Sequence, residues 1–411
     1  MRLLIWTQYF WPENFHINVV ARSLKARGIE LTVLTGKPNY PEGEILFGYT
    51  AMGIQREEYY GIEVIRIPLR RRGKNSRTGM ALNYLSFIVS GYLFAAYALR
   101  ERKFDAVFVY APSPLLQALP AVYVSWLKRA PLVLWVQDIW PDVLLETGFI
   151  KNRWILGIVG LAVRYIYRFS DSILIQSEGF SPSVARWGGT KERVLFFPNS
   201  VEDTSPAFTQ STTNAQLSEE VAASFSIVFA GNIGTAQSCE TIVEAAKLLR
   251  NVLDIKFYLV GSGSMAEDIR QSIVDGRLKN MTMTGQLPAE DMSSIFAAAS
   301  GLLLTLRDGP ALSSTVPSKL QSYLAAGKPV IASCNGEAAR VVTKADAGLV
   351  CPAGDATALA KAVLKLFQMK PEERVRLGEN GRAHFESHYR LEDRMAELVT
   401  HIEEVVAQHK T

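Results

Sequence analysis

The chain has 411 residues, 48% of them apolar and 20% charged, with a formal net charge of +4. That length accommodates two domains of about 200 residues each. The composition excludes a disordered chain, and the small net charge, with no Lys/Arg stripe along the chain, argues against a nucleic-acid partner. Cys239, Cys334 and Cys351 are odd in number and far apart. They suggest neither a disulfide framework nor a zinc site, and they fit a reducing compartment.

The N-terminal apolar run is too short and too aromatic for a signal peptide, so residues 2–7 read as a first strand and the chain as cytoplasmic. A helical pattern follows and stops at Gly28. Further strands are expected at 30–36, 62–69, 105–113, 131–138, 170–177 and 194–199. Between the second and third of these lies a basic cluster of Arg70, Arg71, Arg72, Lys74 and Arg77, and then an uncharged stretch, 80–99. Twenty such residues are long enough to cross a bilayer. Asn83, Ser86, Ser90, Gly91 and three tyrosines dilute the stretch, however, and a crossover helix is needed there. Three readings stay open: a span, a buried crossover helix, or a helix docked into one leaflet with the cations on anionic lipid.

Residues 204–218 are rich in Ser, Thr, Asn and Gln and read as part of a linker. The strand rhythm then restarts at 225–231, 255–261, 278–285, 301–306, 328–333 and 348–352, and 372–410 is a charged helical tail. Strand, helix, strand in this order means parallel sheets with crossover helices. The division expected is a first domain over 1–203, a linker over 204–224, a second domain over 225–390, and a final helix, 391–411. In open parallel sheets ligands bind beyond the carboxyl ends of the strands, so the residues just after each strand are the candidates.

In the second domain, Gly231, Asn232, Gly234 and Gln237 follow the first strand, and Gly261 and Gly263 follow the next. Such loops let backbone approach a phosphate at a helix start, and they also occur as plain tight turns. Pro317 and Ser318 start a short helix that stops at Gly327. Lys319 in its first turn is disfavoured by the helix dipole unless an anion binds there. Gln321 is placed to reach ribose hydroxyls. In the first domain, Asp138 is placed to orient an acceptor hydroxyl or stabilise developing positive charge, and equally to cap the next helix. Glu13 and Glu178 also follow strands, and His16 lies near the same edge, where packing explains it equally well.

These segments carry a resemblance. FAGNIGTAQ, VGSGS, TGQLPAEDMSSIFAAA, VPSKLQSYLAAGKPVIAS and AGLVCPAGDATALAKAV resemble, in order and spacing, the second domain of glycosyltransferase family 4. WTQYFWPEN, VLTGKPNYP, WVQDIWPD, SEGF and FPNSVED resemble its first domain. The nearest group is the transferases of O-antigen, colanic acid and capsule assembly. The resemblance implies a GT-B fold, an α/β architecture of two Rossmann-like, doubly wound parallel-sheet domains facing a cleft. It implies that Lys319 binds the diphosphate, that 231–234 is the glycine-rich loop, that 261–263 is the base-pocket turn, and that the last helix returns to the first domain. Several positions depart from the family pattern. Gln321 and Ser313 stand where two glutamates are usual, and Asn232 and Gln237 where an Arg and a Lys are usual, which leaves Arg307 or Lys319 as the remaining grip on the diphosphate. Asn14, Phe15 and His16 replace a glycine-rich loop.

The implied reaction is retaining sugar transfer from a UDP-sugar donor to a polyprenyl-diphosphate-linked acceptor, at the inner face of an anionic membrane, with Asp138, Lys319 and Glu13 as catalytic residues. No cofactor or metal is expected, UDP-sugar being a substrate. A nucleotide-sugar 2-epimerase and a non-catalytic scaffold of an assembly complex are the alternatives.

Overall fold

A computed structural model describes residues 1–73, 77–203 and 215–410. The chain divides into two compact units, 1–197 with 391–411, and 198–390.

The first unit is built on eight strands: β1 (Arg2–Trp6), β2 (Glu30–Thr35), β3 (Gln55–Tyr59), β4 (Ile62–Arg66), β5 (Ala106–Ala111), β6 (Leu132–Val136), β7 (Ser172–Ile175) and β8 (Val194–Phe196). Their order in the sheet is β3-β4-β2-β1-β5-β6-β7-β8. Every pairing is parallel except β3 with β4. β3 has no counterpart in the sequence reading. Its sequence, QREEY, lacks an apolar face, as suits a strand at a sheet edge, where charges discourage further pairing. β5 and β6 are buried throughout and carry unbroken apolar runs, the mark of parallel strands covered on both faces.

The last helix, Leu391–Lys410, belongs to this unit. Leu391, Met395, Leu398, Ile402 and Val405 recur at four- and three-residue spacing and are buried with Ile17, Val20 and Leu24 of the helix His16–Ala26. At about 1.5–3 kcal/mol per buried apolar side chain, this stripe is enough to hold the helix. Ser172 Oγ to His401 Nε2, 2.7 Å, fixes its register on the sheet.

The second unit has six strands, β9 (Phe225–Ala230), β10 (Ile255–Val260), β11 (Met281–Gly285), β12 (Gly301–Thr305), β13 (Val330–Ser333) and β14 (Gly348–Cys351), in the order β11-β10-β9-β12-β13-β14, all parallel. Two boundaries differ from expectation. Residues 198–203 belong to this unit, because Val201 bridges to Arg390 and Asp203 holds Arg382 in a two-pronged ion pair at 2.8 and 2.6 Å. The expected linker over 204–224 is also too long: Ala215–Ala222 is a helix of this unit that buries Val221 and packs on the helix Met292–Ala298. Residues 204–214 lie outside the described residues. The helix Ser318–Ala325 and all three cysteines, which are buried, also lie in this unit.

Candidate active site

In each sheet the strand order reverses once: between β1 and β5 in the first unit, between β9 and β12 in the second. Chains leave both strands of such a pair in opposite lateral directions and open a crevice at their carboxyl ends. Glu13 and His16 follow β1, and Gly231–Gln237 and Arg307 follow β9 and β12, at these two places; Asp138 and Gly261 follow the adjoining strands β6 and β10, and Glu178 lies one strand further out, after β7.

In the second unit, Tyr323 fixes the exit of β9. Its buried hydroxyl accepts from the Ala230 amide at 2.9 Å and donates to the Ala230 carbonyl at 3.2 Å. The chain then turns through Gly231, where φ is +133°. Gly261 approaches so closely that a Cβ on it would lie 1.9 Å from the Gly231 carbonyl oxygen, and a Cβ on Gly263 would lie 2.4 Å from that of Ile233. These glycines are therefore required by backbone contact between two strand-end loops. Asn232 fits into the space that Gly234 and Gly263 leave open. The helix Cys239–Leu248 starts after this loop, past the short turn Thr235–Gln237, and the amides of a helix start are a ready place for an anion. Gly261→Ala is expected to lose measurable UDP binding in calorimetry and about 2–4 kcal/mol of stability in urea unfolding. An unchanged unfolding midpoint would show that the two loops move apart easily.

Lys319 completes this cradle. Its ammonium sits 2.6 Å from Gln237 Oε1 and 4.0 Å from the centre of the Phe229 ring, against Gly231. Burial pushes it down to about 7. No carboxylate pairs with it among the described residues. A cation held among glycines, an amide oxygen and a helix N-terminus is short of one partner, an anion. Gln237, read as the loss of a cation, instead accepts the lysine's hydrogen bond. Arg307 follows β12 and its amide donates to the Ala236 carbonyl of this loop at 2.9 Å, but its side chain is exposed and paired with Glu240 at 3.0 Å, so Lys319 is the enclosed cation there. Ser318 is exposed at the helix start. Gln321 differs from the reading. It is wholly buried, and with its amide oriented to satisfy its neighbours it donates to the Pro317 and Ser318 carbonyls at 2.9 Å each. It closes its own helix start and does not project towards a ribose.

In the first unit, Glu13 is buried, and its Oε1 accepts from the amides of Asn39 and Tyr40 at 2.8 Å each. Burial raises its carboxyl to about 7, against these two bonds and the nearby Arg66. The network runs on: Asn83 donates to Asn39 Oδ1 at 3.3 Å, Gln8 donates to Asn83 Oδ1 at 2.8 Å, and the Gln8 amide meets Gln117. Tyr9 stacks on Phe15 at 4.8 Å and meets the edge of Tyr40 at 6.0 Å. Asp138, just after β6, is half-buried, and its carboxyl is raised by burial against a hydrogen bond from Ser113. His16 is held neutral by burial, its pKa lowered to about 4, with its ring edge-on to Trp135. Buried Gln8 Oε1, His16 Nε2, Gln137 Nε2 and Gln176 Oε1 have no hydrogen-bond partner among the described residues. Each such atom costs about 1–3 kcal/mol if it stays unmatched. Glu178 is exposed, and the helix-start bond there, to the Gly179 amide, is made by Ser177.

The basic cluster is divided. Arg70 is exposed, Arg71 pairs with Glu44 at 2.9 Å, and exposed Arg77 reaches the Gly148 carbonyl at 3.4 Å. Arg72 turns inward and lies over the Tyr40 ring, 5.4 Å from its centre, beside Tyr9 and Tyr84. It is thus a neighbour of these tyrosine rings and not part of an outward basic patch. Lys74 lies outside the described residues. Tyr9, Tyr40, Tyr84, Asn39 and Arg72 lie together here; the segment VLTGKPNYP after β2 signals Asn39 and Tyr40, WTQYFWPEN signals Tyr9, and Tyr84 sits on the helix Arg77–Ala98. Among the described residues no three His, Cys, Asp or Glu side chains converge to hold a metal ion.

Solved structures of the same fold include members of the GT-B class. HepE from Anabaena, solved with UDP and glucose, superposes with a TM-score of 0.72 at 16% identity, over 98% of this chain and all of that one. Sucrose-phosphate synthase from Thermosynechococcus elongatus gives 0.75 at 16% identity, over 99% of both chains. The fold is therefore GT-B. The model of "Glycosyl transferase 4-like domain" matches residues 14–200 and that of "Glycosyl transferases group 1" matches 224–369. With both units matched, the chain belongs to the group 1, family-4-like glycosyltransferases. Its relatives include a protein of Escherichia coli K12 named as colanic acid biosynthesis glycosyl transferase WcaI, 26% identical over 80% of this chain and 82% of that one. Another is a protein of Pseudomonas aeruginosa named as glycosyltransferase WbjE, 23% identical over 75% and 76%.

Proposed function

We propose that this glycosyltransferase moves a sugar from a UDP-sugar to a polyprenyl-diphosphate-linked saccharide in bacterial surface polysaccharide synthesis, with retention of anomeric configuration and without a metal. The observation that carries the reading is the enclosed Lys319 ammonium, set against a glycine cradle and a helix N-terminus with no carboxylate beside it among the described residues. A nucleoside diphosphate supplies the missing negative charge, and HepE, of the same fold, was solved with UDP. WcaI and the amylovoran transferase AmsK, by their names, serve polysaccharide assembly. A further resemblance, to the N-acetyl-L-fucosamine transferase WbuB, suggests that sugar as the one transferred.

In the reaction, the acceptor oxygen forms a bond to the anomeric carbon as the bond to the β-phosphate oxygen breaks. Lys319 and the loop amides stabilise the negative charge of the departing UDP, which takes the acceptor's proton. Asp138, Glu13 and the unmatched amide and imidazole groups of the first unit orient the acceptor, and Tyr9 and Tyr40 offer ring faces to a sugar. The acceptor's lipid accounts for the helix Arg77–Ala98. Phe87, Gly91 and Ala95 pack inward, while Leu85, Val89 and Leu93 face outward uncovered. It is neither a plain buried helix nor free of the sheet, which suits docking in one leaflet beside Arg70 and Arg77, at the inner face of the membrane.

The test is UDP release from a panel of UDP-sugars, in EDTA, with and without a polyprenyl-diphosphate-GlcNAc analogue. Acceptor-dependent release is expected. Conversion of the UDP-sugar without acceptor would indicate an epimerase. UDP binding with no turnover of any donor would indicate a scaffold.

A further inference from the structure

The outer layer of an α/β unit ordinarily shows water a polar face. The first unit breaks this rule along the helices Arg77–Ala98, Leu119–Lys128 and Arg153–Arg168. On the third, Trp154, Ile155, Ile158, Leu161 and Tyr165 form one stripe at helical spacing, with Trp154 86% and Ile158 67% exposed. Tyr123 of the second helix lies 5.9 Å from Tyr92 of the first, ring to ring, and exposed Trp126 continues the patch. A contiguous apolar surface of this kind marks an interaction site. None of the three helices contains an Asp or Glu, while Arg77, Arg153, Arg164 and Arg168 lie on them.

At one end of the stripe is an open groove of about 690 Å³, lined by Leu161, Arg164, Tyr165, Arg168, Thr190 and Arg193 among others. Arg164 and Arg168 have no acidic partner among the described residues. Arg193 donates to the Arg168 and Ser170 carbonyls at 3.0 and 3.4 Å, which holds it at the groove. Arg168 precedes β7 and Arg193 precedes β8, so the groove lies at the end of the sheet opposite Asp138 and Glu178. Its occupant is therefore not the reacting end of the acceptor.

We propose that this groove receives the headgroup phosphate of an anionic phospholipid, and that the helix Arg153–Arg168 lies in the bilayer interface on its Trp154–Tyr165 stripe. The charge pattern selects this occupant: an acid-free apolar face rimmed by arginines suits an anionic bilayer surface, whereas a protein partner would leave the guanidinium groups to be matched one by one. The inference rests on the membrane reading above and extends it to a second helix and a defined phosphate site.

The test is flotation of the full chain with vesicles of phosphatidylcholine alone or mixed with phosphatidylglycerol. Arg164→Gln with Arg168→Gln is expected to lose roughly fivefold in partitioning per arginine on the mixed vesicles, with no change on phosphatidylcholine. Trp154→Ser with Ile158→Ser is expected to weaken binding to both. All four positions are exposed, so folding is retained, and turnover of a detergent-solubilised acceptor should be unchanged. Wild-type binding by both double variants would overturn the inference. If Leu85→Ser with Leu93→Ser then still weakened binding, the broader membrane reading would stand without it. If the wild type failed to float at all, both would fall.

Discussion

Lys319→Ala is expected to lower kcat/KM for sugar transfer by about 10²–10³-fold, the usual effect of removing one preorganised charge from a developing anion. The structure adds a signature that a merely structural lysine would not give. In the free protein the ammonium is held at about 7 by burial. A diphosphate beside it favours the charged form and raises that value. UDP binding therefore takes up a proton above pH 7, and affinity should fall by up to tenfold per pH unit as pH rises from 7 towards the bound-state pKa. UDP's own last ionisation, at about 6, lies below this window. Calorimetry at pH 8 in two buffers of different ionisation enthalpy measures the uptake. Lys319→Arg should abolish it while keeping the charge. A pH-independent affinity in the wild type would place the diphosphate away from Lys319.

The visibility of Lys319 in the sequence has a local cause: Pro317 and Ser318 fix a helix start and Gly327 a stop, so a cation in that first turn stands out. Tyr323 and Phe229, which hold the strand end and floor the lysine, follow apolar periodicity and read as core, because periodicity reports burial and not what a buried hydroxyl bonds to. Gln321, buried against its own helix start, is hidden from sequence for a related reason. Spacing along a helix gives a side chain's face, but not whether it turns back on its own carbonyls. In the first unit, the partners of Glu13 lie 26 and 27 residues away. Nothing local foretells that a loop after β2 will close on a loop after β1. The strand rhythm itself was legible because parallel strands are buried on both faces, and β3 escaped because an edge strand is not.

Glu13→Gln is expected to stabilise the protein at pH 8 by up to about 3 kcal/mol relative to the wild type. The magnitude comes from the carboxyl's rise from 4.5 to about 7. Its sign follows from proton counting. Between those values the native state binds more protons at this site than the unfolded chain, so the site's contribution is largest below pH 4.5, falls as pH rises, and is fully lost above 7. Glutamine keeps an oxygen for the Asn39 and Tyr40 amides and carries no charge to desolvate, so its stability lacks this fall. Other carboxylates titrate alike in both proteins, and the difference between their urea-unfolding free energies from pH 4 to 8 isolates Glu13. A difference that does not grow with pH would mean that the carboxylate is better solvated than its burial implies. Turnover of the same variant then separates two roles. If kcat falls more than about tenfold in a more stable protein, the ionising carboxyl takes part in the reaction. If kcat is unchanged, Glu13 serves only to hold the Asn39–Tyr40 loop.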